Sequence, residues 1–547
     1  MIHAFLIGIS FISPIVAGPS SSAWQLLGAW SCVALLLLQG GSPPSRGILL
    51  WLALAAALIA TSIGPHHALR ATAIAAIAIT AFAACVGAVI VADSRKSSSL
   101  AWGVLVAGGV SAVFGLFQYY GAAKALFPWT SAPEIGQAYG NLRQRNQFAT
   151  LISMALVAAL WLHGRLPDRA RAGLLPAAVL LTLAAAASTS RTGLLQWLSI
   201  SVIAAFIAWR ERRPDPPDRR YQLPHPWLLF ALVPAYFLAA WALPQLAGAA
   251  VEGMLLRLRD GAPEGHSRLL LWRNVLDLIA AHPWRGWGWG ELSFAHYSFP
   301  YTGARFVELL DNAHNLPLQL AVELGVPAAV LVCGGFAWLV LSARPWRERD
   351  PLRLMAWGML GAIVLHSLLE YPLWYGPFQL VFGVCLGILW PGRRLAKAMS
   401  ASAASPRGAA WYQAMALLLV VAIGYAGWDY TRISRLYIAP EERPSAASRN
   451  DRTLDDAHAS WLYMRYVRFA ELVLTPVDRG NAAHVHDLAS RSLHFSPEPR
   501  VIGKLIESAR LIGEDREASA QSELFRRAYP DEYAAWLAAT PSSAPSN

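Results

Sequence analysis

The stretch DNAHNLPLQLAVELGVPAAVL, residues 311–331, has four polar residues among its first five and continues as a mainly apolar run to residue 342. A helix needs about 20 mostly apolar residues to cross the hydrocarbon core of a bilayer. Segments approaching this pattern cover residues 2–17, 24–39, 47–63, 71–92, 100–118, 147–162, 173–187, 193–209, 226–248, 315–342, 354–369, 373–390 and 410–427. The sequence therefore predicts an all-α, polytopic transmembrane bundle with about 13 spans.

The overall composition supports the same class of protein. Of the 547 residues 55% are hydrophobic and only 14% are charged, and the mean hydropathy is +0.38. This balance is typical of a membrane protein. The formal net charge of +11 belongs to the apolar part, because the last 119 residues, 429–547, carry 15 Lys and Arg against 17 Asp and Glu. Membrane topology explains such a charge, so we expect no nucleic-acid partner.

The distribution of basic residues predicts the orientation in the membrane. Lys and Arg in short loops are retained on the cytoplasmic side. With the N-terminus inside, the cytoplasmic loops hold 19 of the 30 Lys and Arg that precede residue 429. This arrangement predicts a transmembrane domain at 1–428 with a large periplasmic loop at 249–313. It also predicts a periplasmic domain at 429–547, whose apolar spacing indicates about five amphipathic helices, similar to tetratricopeptide-type hairpins.

Four clusters of polar residues lie at the predicted outer ends of these spans. The first is YGNLRQRNQFATL at 139–151, and the second is STSRTGLL at 188–195. The third, GHSRLLLWRNVLDLIAAHPWRGWGWGELSF at 265–294, reads as an amphipathic helix ended by a proline and a Gly-Trp-rich turn. The fourth combines the opening stretch with HSLLEYPLWYG at 366–376. We therefore expect the functional site of the protein on this face.

Each polar residue on this face also has a plain structural explanation. Arginine at a membrane boundary commonly extends to lipid headgroups, Trp and Tyr anchor the interface, and a histidine at a helix start commonly caps or packs. A functional site is favoured because six charged or polar side chains come from separate segments onto one face. They are Arg143 or Arg145, Arg191, Arg268, Arg273, His314 and Tyr371.

A polar stripe is predicted inside the span at 315–342. Asn315, Gln319 and Glu323 are four residues apart, so on one helix they would share a face running inward from its outer end. An acid at that depth must face protein or water, because exposing it to lipid costs several kcal/mol. Glu323 is expected to make a structural hydrogen bond to a neighbouring helix; the alternative is that it orients the groups above it.

The motifs GNLRQRNQFATL, SRTGLL, HPWRGWGWG, HNLPLQLAVELG and HSLLEYPLWY, in this order, resemble the O-antigen ligase and polymerase superfamily of integral membrane glycosyltransferases. Within it they are most similar to the bacterial O-linked oligosaccharyltransferases, a branch that typically carries a helical exported tail. One departure is RQRNQ, where that branch more often has Gln-Pro-Asn; Arg145 stands in place of the proline. The resemblance implies a GT-C-like helical fold and transfer of a glycan from a polyprenyl diphosphate to an acceptor hydroxyl.

The resemblance also implies roles for the polar residues. Arginine binds diphosphate oxygens bidentately without a metal, and imidazole suits the task of activating a weakly nucleophilic hydroxyl. His314 is the predicted base. The predicted donor-binding residues are Arg191, Arg268, Arg143, Arg145, Arg273 and Tyr371. Supporting residues are Gln144, Asn146, Asn315, Gln319, Glu323 and Glu370. No cofactor and no metal site are expected, since the histidines lack metal-ligand spacing and the four cysteines all lie in predicted spans.

The sequence leaves three functions open. The first is transfer of an oligosaccharide from undecaprenyl diphosphate to Ser or Thr of an exported protein such as a pilin, at the periplasmic face of the inner membrane. The second is an O-antigen ligase or polymerase, in which the same centre serves a sugar acceptor and against which the tail argues. The third is a transporter, which would be expected to show inverted repeats and a midplane site.

Overall fold

The structure is a computed structural model that describes residues 1–15, 19–20, 22–93, 95–213, 220–248, 251, 253–260, 267–392, 406–438 and 453–539. Throughout these ranges the regular structure is helical, and an isolated bridge between Pro44 and Pro391 is the only β-type pairing. The predicted all-α class is therefore confirmed.

The apolar part of the chain forms nineteen α-helices within the described ranges. They are α1 Ile2–Ile9, α2 Ala23–Leu38, α3 Arg46–Ala60, α4 His67–Ala92, α5 Ser99–Tyr119, α6 Arg145–His163, α7 Asp168–Arg171, α8 Leu174–Ala187, α9 Arg191–Glu211, α10 Pro226–Leu246, α11 Met254–Asp260, α12 Arg268–Ala281, α13 Leu292–Ser298, α14 Leu316–Leu324, α15 Val326–Ala329, α16 Gly335–Ala343, α17 Pro351–Ser367, α18 Gly376–Leu389 and α19 Pro406–Ser434. Short 3₁₀ segments occupy Ala123–Leu126, Pro345–Arg347, Pro372–Trp374 and Arg435–Tyr437, and a π-turn occupies Val330–Gly334.

Eight helical segments of the described chain are long and apolar enough to cross a membrane. They are His67–Ala92, Ser99–Tyr119, Arg145–His163, Asp168–Ala187, Arg191–Glu211, Pro226–Leu246, Val326–Arg347 and Ala410–Tyr437. The other five predicted spans coincide with shorter helices, namely α1, α2, α3, α17 and α18. The protein is thus a polytopic helical membrane protein, and the number of thirteen spans stays a prediction.

The predicted continuous span at 315–342 is wrong, because the helix breaks at Gly325. This glycine has a φ of +90°, and the carbonyl carbon of Trp284 lies 2.5 Å from where a Cβ would be. Only glycine allows that backbone and that close approach. Consequently α14 ends at Leu324, outside the membrane-crossing segment that starts at Val326, and it packs against the loop that follows α12.

The two helices α4 and α18 pack closely through small residues. A Cβ on Gly87 would lie 2.1 Å from the carbonyl oxygen of Val384, and one on Gly387 would lie 2.0 Å from that of Ala84. Helices in a bilayer associate through such small-residue contacts because lipid offers no hydrophobic drive between them. This pair is part of a buried core that also includes residues of α2, α5, α6 and α17, which holds the ends of α6 and α17 in fixed relative positions.

The tail contains α20 Thr453–His458, α21 Met464–Leu474, α22 Ala482–Leu493, α23 Pro499–Ile512, α24 Asp515–Ala528 and α25 Pro530–Ala539. Their apolar faces share a core that includes Leu472, Val485, Leu488, Ile502, Leu505 and Phe525. The preceding helix α19 runs past the predicted boundary at 428 to Ser434. The tail contacts the long loop directly, since the Tyr297 hydroxyl donates to Gln521 at 2.9 Å. The similarity to tetratricopeptide hairpins stays a prediction.

Candidate active site

The carboxylate of Glu370 is the centre of a cluster of side chains drawn from four segments of the chain. One oxygen accepts from Asn146 Nδ2 at 3.0 Å and from the Arg268 guanidinium. The other lies 2.8 Å from His314 Nδ1 and accepts from Gln144 Nε2 at 3.2 Å. The Glu370 side chain is only 4% exposed. We call these five residues the Glu370 cluster.

Helix termini bring the members of the Glu370 cluster together. Gln144 caps α6, because its side-chain oxygen accepts from the backbone N–H of Gln147 at 3.1 Å. Arg268 is the first residue of α12, which Ser267 caps through the N–H of Leu270. Glu370 follows the last turn of α17. Side chains at helix ends point into a shared space where the backbones diverge, so residues from distant parts of the sequence can meet there.

The backbone at His314 is held in an unusual conformation. Its φ is +51°, in the left-handed region, and its N–H donates to the Asn312 side chain at 2.8 Å. The Trp272 indole donates to the carbonyl of Ala313 at 3.1 Å, which fixes this segment against α12. A non-glycine residue in this region persists only where the surrounding structure enforces it, and such residues concentrate at functional sites.

The ring of His314 is directed by its partners. With Nδ1 bonded to Glu370, the other nitrogen, Nε2, is left for a further partner. The Tyr371 ring stands edge-on to the imidazole with the centroids 5.2 Å apart. A small cavity of about 130 Å³ lies beside the imidazole, lined by Arg268, Leu271, Phe306, Glu308 and His314. The cavity therefore adjoins both the predicted base and one predicted donor-binding arginine.

Opposite charges decide the ionisation of Glu370. Burial alone would raise the pKa of this carboxyl, but the His314 hydrogen bond and the charges of His314 and Arg268 hold the pKa below its ordinary value. Burial raises the pKa of the Tyr371 phenol, so it stays a neutral hydrogen-bond donor. The cluster thus contains an anion fixed beneath a histidine and an arginine.

Two more predicted arginines meet in a second group beside the first, which we call the Thr189 cluster. Arg145 donates to the Thr189 hydroxyl at 3.5 Å and Arg257 donates to it at 3.2 Å, while Arg191 donates to the carbonyl of Arg257. Ser190 links the two clusters, because its hydroxyl donates to Asn146 Oδ1 at 2.6 Å. Three guanidinium groups are therefore brought together next to the Glu370 cluster.

The remaining predicted donor-binding residues lie elsewhere. Arg143 has a φ of +60° and donates to the carbonyl of Pro14 at 3.3 Å, on another side of the α6 terminus. Its guanidinium is half-buried, which lowers the pKa of Arg143. Arg273 is exposed on α12 and lies five residues after Arg268, so it points to a different side of the helix. Neither bonds to a member of the Glu370 cluster, and their predicted roles stay predictions.

The polar stripe on α14 has a structural role. Asn315 caps the helix through Leu318 at 3.0 Å, and Gln319 accepts from the N–H of Ala313 at 2.7 Å. Glu323 accepts from the N–H of Gly290 at 3.0 Å. The predicted hydrogen bond of Glu323 is thus present, but its donor is a loop backbone rather than a helix in hydrocarbon. These contacts fix the loop 286–291 and the segment that precedes α14.

Several polar residues of the site were not singled out from the sequence. Thr189 and Ser190 lie in the quoted STSRTGLL motif, where only Arg191 carried an obvious charge. Arg257 lies in a short amphipathic run of the long loop, and its spacing gave no indication of a partner near residue 189. His366, in the HSLLEYPLWY motif, is buried and lies 2.9 Å from the Thr150 hydroxyl. Among the described residues, no three His, Cys, Asp or Glu side chains group as metal ligands would.

The structure is a polytopic helical membrane protein in which arginines, a histidine and a buried carboxylate gather at helix ends. These features agree with the expected resemblance to the O-antigen ligase superfamily. The chain matches three family descriptions in succession. They are "Protein glycosylation ligase" at residues 138–163, "O-Antigen ligase" at 176–333 and "Virulence factor membrane-bound polymerase, C-terminal" at 354–544. All five members of the Glu370 cluster lie within these matched regions.

The chain is also similar to a curated protein, the General O-oligosaccharyltransferase of Acinetobacter baylyi. The two are 28% identical over 266 residues, which are 46% of this chain and 43% of the relative. The match thus spans less than half the length of that protein. Together with the family matches, it confirms the resemblance to the O-oligosaccharyltransferase branch of the ligase superfamily.

Proposed function

We propose that this chain transfers an oligosaccharide from an undecaprenyl-diphosphate carrier to Ser or Thr hydroxyls of exported proteins such as pilins. The reaction would take place at the periplasmic face of the bacterial inner membrane. The observation that carries the proposal is the Glu370 cluster. In this cluster His314 has one ring nitrogen free for an acceptor hydroxyl, and Arg268 is suited to bind a diphosphate. Both residues line one cavity.

The proposed base is His314. Its Nδ1–H donates to Glu370, so the lone pair of Nε2 can take the proton from the acceptor hydroxyl. A buried carboxylate that orients an imidazole and stabilises its charged form serves the same purpose in catalytic triads. The hydroxyl oxygen then forms a bond to the anomeric carbon of the glycan. The bond from that carbon to the diphosphate oxygen breaks.

The arginines would stabilise the leaving group. Undecaprenyl diphosphate gains negative charge as the bond breaks, and guanidinium groups bind phosphate oxygens with paired, charge-assisted hydrogen bonds. Arg268 donates to Glu370 through one nitrogen, and its other N–H groups can donate to phosphate oxygens. Arg191 is exposed at the start of α9, and its placement beside Arg145 and Arg257 supports a role in donor binding. Tyr371 supplies a neutral hydroxyl donor beside His314.

The proposal is tested by expressing the chain with a lipid-linked glycan pathway and an exported pilin. Mass spectrometry then examines the pilin and lipid A separately. We expect a glycan on Ser or Thr of the pilin, none on lipid A, and loss of the modification with His314→Ala. Unmodified pilin from cells whose donor lipid and protein levels are normal would contradict it.

The second candidate is a ligase or polymerase with a sugar acceptor. It is favoured by the two family matches named for O-antigen ligase and for a membrane-bound polymerase. The polymerase match includes the tail, so the tail alone does not decide between the acceptors. Glycan on lipid A, or a lengthened glycan on the carrier, would support this candidate instead. Transfer in the presence of a chelator is expected for either, since arginine replaces a metal in the proposed mechanism.

The periplasmic placement has its own test. The basic residues near Arg213 support a cytoplasmic position for that loop, and the predicted odd number of spans would then put the segment following α19 outside. A periplasm-dependent reporter fused after residue 430 is therefore expected to be active, and one fused after residue 213 inactive. The reverse pattern would place the Glu370 cluster on the cytoplasmic side and exclude the proposed reaction.

A further inference from the structure

A large crevice lies between α9 and α17, with α6 as its floor, and none of its lining residues belongs to the Glu370 cluster. Its volume is about 1320 Å³. Gln196 lines one end, where it is fixed by hydrogen bonds to Thr150 at 3.0 Å and to the carbonyl of Ala362 at 2.9 Å. The other end reaches Arg210, which follows Arg191 by 19 residues, or about 28 Å along a helix. The crevice therefore extends towards the opposite face of the membrane.

The walls of the crevice are apolar and incompletely filled. The lining residues include Ile200, Ile203 and Leu354. Ile203, on α9, is 59% exposed. On α17, Gly361 faces open space, because no atom lies within 4 Å of the position that its Cβ would take. Helices α9 and α17 thus leave a gap that opens laterally at the depth of the bilayer. A gap of this kind suits a flexible hydrocarbon chain.

The far end of the crevice has a positively charged rim. Arg210, Arg347 and Arg349 all line it and are exposed. The two acidic residues of the rim already have partners within the protein. Glu348 pairs with Arg353 at 2.8 Å, and Glu211 accepts from a backbone N–H in the adjacent loop. The arginines therefore present their charge outward at the place where lipid headgroups lie.

We propose that this crevice binds an anionic glycerophospholipid. The headgroup phosphate lies among Arg210, Arg347 and Arg349, and one acyl chain occupies the gap beside Gly361. Arginine clusters recognise phosphate through charge-assisted hydrogen bonds, and anionic lipids are attracted to basic residues at a membrane surface. The hydrogen bonds of Gln196 close the end nearest the Glu370 cluster, so this lipid is distinct from the proposed glycan donor. The proposal does not depend on the transferase activity.

The test is native mass spectrometry of the full-length protein in detergent after lipid removal. Phosphatidylglycerol and phosphatidylethanolamine are added separately, and the protein–lipid adducts are counted. We expect one phosphatidylglycerol adduct with an affinity about tenfold higher than that of phosphatidylethanolamine, because the ammonium group of the zwitterionic lipid is repelled by the arginines and offsets the attraction of its phosphate. Equal affinities for the two lipids would overturn the proposal.

Two variants separate the headgroup from the acyl chain. The triple variant Arg210→Gln, Arg347→Gln, Arg349→Gln is expected to lose the preference for phosphatidylglycerol. Gly361→Leu extends an apolar side chain into the gap from a position where an added Cβ meets no atom within 4 Å, and leucine suits a helix, so it should weaken binding of this lipid while leaving the rim intact. The matched control removes three exposed arginines from other positions on the same predicted face, with Arg46→Gln, Arg95→Gln and Arg169→Gln.

The control variant is expected to retain the adduct. If it loses phosphatidylglycerol to the same extent as the rim variant, the affinity is a general effect of surface charge and no crevice site exists. If Gly361→Leu leaves binding unchanged, the acyl chain does not occupy the gap and the proposal is equally overturned. The melting temperature in detergent is measured alongside as evidence that each variant is folded.

Discussion

Glu370 and Glu323 are both buried carboxylates near the ends of helices, yet the structure gives them opposite environments. Glu370 is bonded by side chains from three other segments, two of which carry or can carry positive charge. Glu323 accepts from the backbone N–H of Gly290, with no cation among its partners. The pKa of Glu370 is held below its ordinary value, whereas burial raises the pKa of Glu323 to about 8.

The difference shows how a structural acid is distinguished from a functional one. A buried carboxylate costs free energy to ionise unless cations or hydrogen-bond donors compensate for the lost water. Glu370 has that compensation and in turn fixes His314 and Arg268 beside a cavity. Glu323 holds a loop in place and serves that purpose without a charge. We therefore propose that Glu370 belongs to the reacting centre and Glu323 to its framework.

The largest effect is expected from Glu370→Gln. The substitution keeps the shape but removes the charge that orients His314 and holds Arg268. We expect transfer to fall by about 100-fold or more, comparable to the loss of a general base. The measurement is glycan transfer to the acceptor by purified protein at equal membrane abundance. Full activity in this variant would remove the distinction between the two carboxylates.

The pH dependence of folding stability follows from the lowered pKa of Glu370. A carboxyl whose pKa is depressed in the folded protein stabilises the fold above its ordinary pKa, and this contribution is lost as pH falls through the folded value. Glu370 should therefore stay ionised down to pH values below its ordinary 4.5. Wild-type thermal stability should decline below that pH, and Glu370→Gln should show a smaller decline.

A smaller loss is expected when a guanidinium is replaced. Arg268→Ala removes a charge-assisted hydrogen bond worth roughly 1.5–3 kcal/mol, so affinity for the lipid-linked donor should fall by about 10- to 100-fold. Arg268→Lys should recover only part of it, because lysine keeps the charge but loses the planar fork. The matched control is Arg169→Ala, a change at an exposed arginine on the opposite predicted face, and it should bind the donor normally. Equal losses for the two alanine variants would place the diphosphate elsewhere.

The sequence identified all five members of the Glu370 cluster, with Glu370 as a supporting residue, but it did not show that this carboxylate is their centre. His314, Arg268, Gln144 and Asn146 were all predicted as site residues because polar side chains at the ends of apolar runs are conspicuous. Glu370 lies 56 residues from His314 and 102 from Arg268. Only the tertiary packing of α6, α12 and α17 determines that all of them point at one carboxylate.

The sequence was least informative about backbone partners. Asn315, Gln319 and Glu323 do follow one another at helical spacing, so the stripe was predictable. The break at Gly325 and the hydrogen bond from Gly290 depend on how the long loop folds over α14, and side-chain periodicity carries no information about this. The same holds for the arginines, since Thr189, which joins Arg145 and Arg257, is an unremarkable residue in sequence.

A modest effect is expected from Glu323→Gln. Transfer should stay within about threefold of wild type, because a neutral side chain already satisfies this site and can accept the Gly290 hydrogen bond. A raised pKa means that the wild-type fold loses stability as pH rises from the ordinary 4.5 towards about 8, while the variant has no such loss. Melting temperatures in detergent at pH 6 and pH 9 measure this. A larger fall with pH in the variant would contradict the sign.

The smallest effect is expected at a third buried carboxylate, Glu291, which also has side-chain partners from distant segments. His494 of the tail lies 2.8 Å from one oxygen and His66 lies 3.1 Å from the other, and the His494 ring stacks on Phe294 at 3.9 Å. These hydrogen bonds lower the pKa of Glu291 against the effect of burial. Ionisation and distant partners are thus shared with Glu370.

What Glu291 lacks is a partner lining the cavity beside His314. His494→Ala should therefore leave transfer to a short acceptor peptide within about twofold, while weakening the attachment of the tail by about 1.5–3 kcal/mol, as expected for a lost charge-assisted hydrogen bond. Hydrogen exchange of α22 and α23 measures the attachment, and His458→Ala, a change at an exposed histidine within the tail, is the control. If His494→Ala instead removes transfer in folded protein, contact with the cavity does not distinguish a catalytic carboxylate from a structural one. The tail would then act on the reacting centre through Glu291.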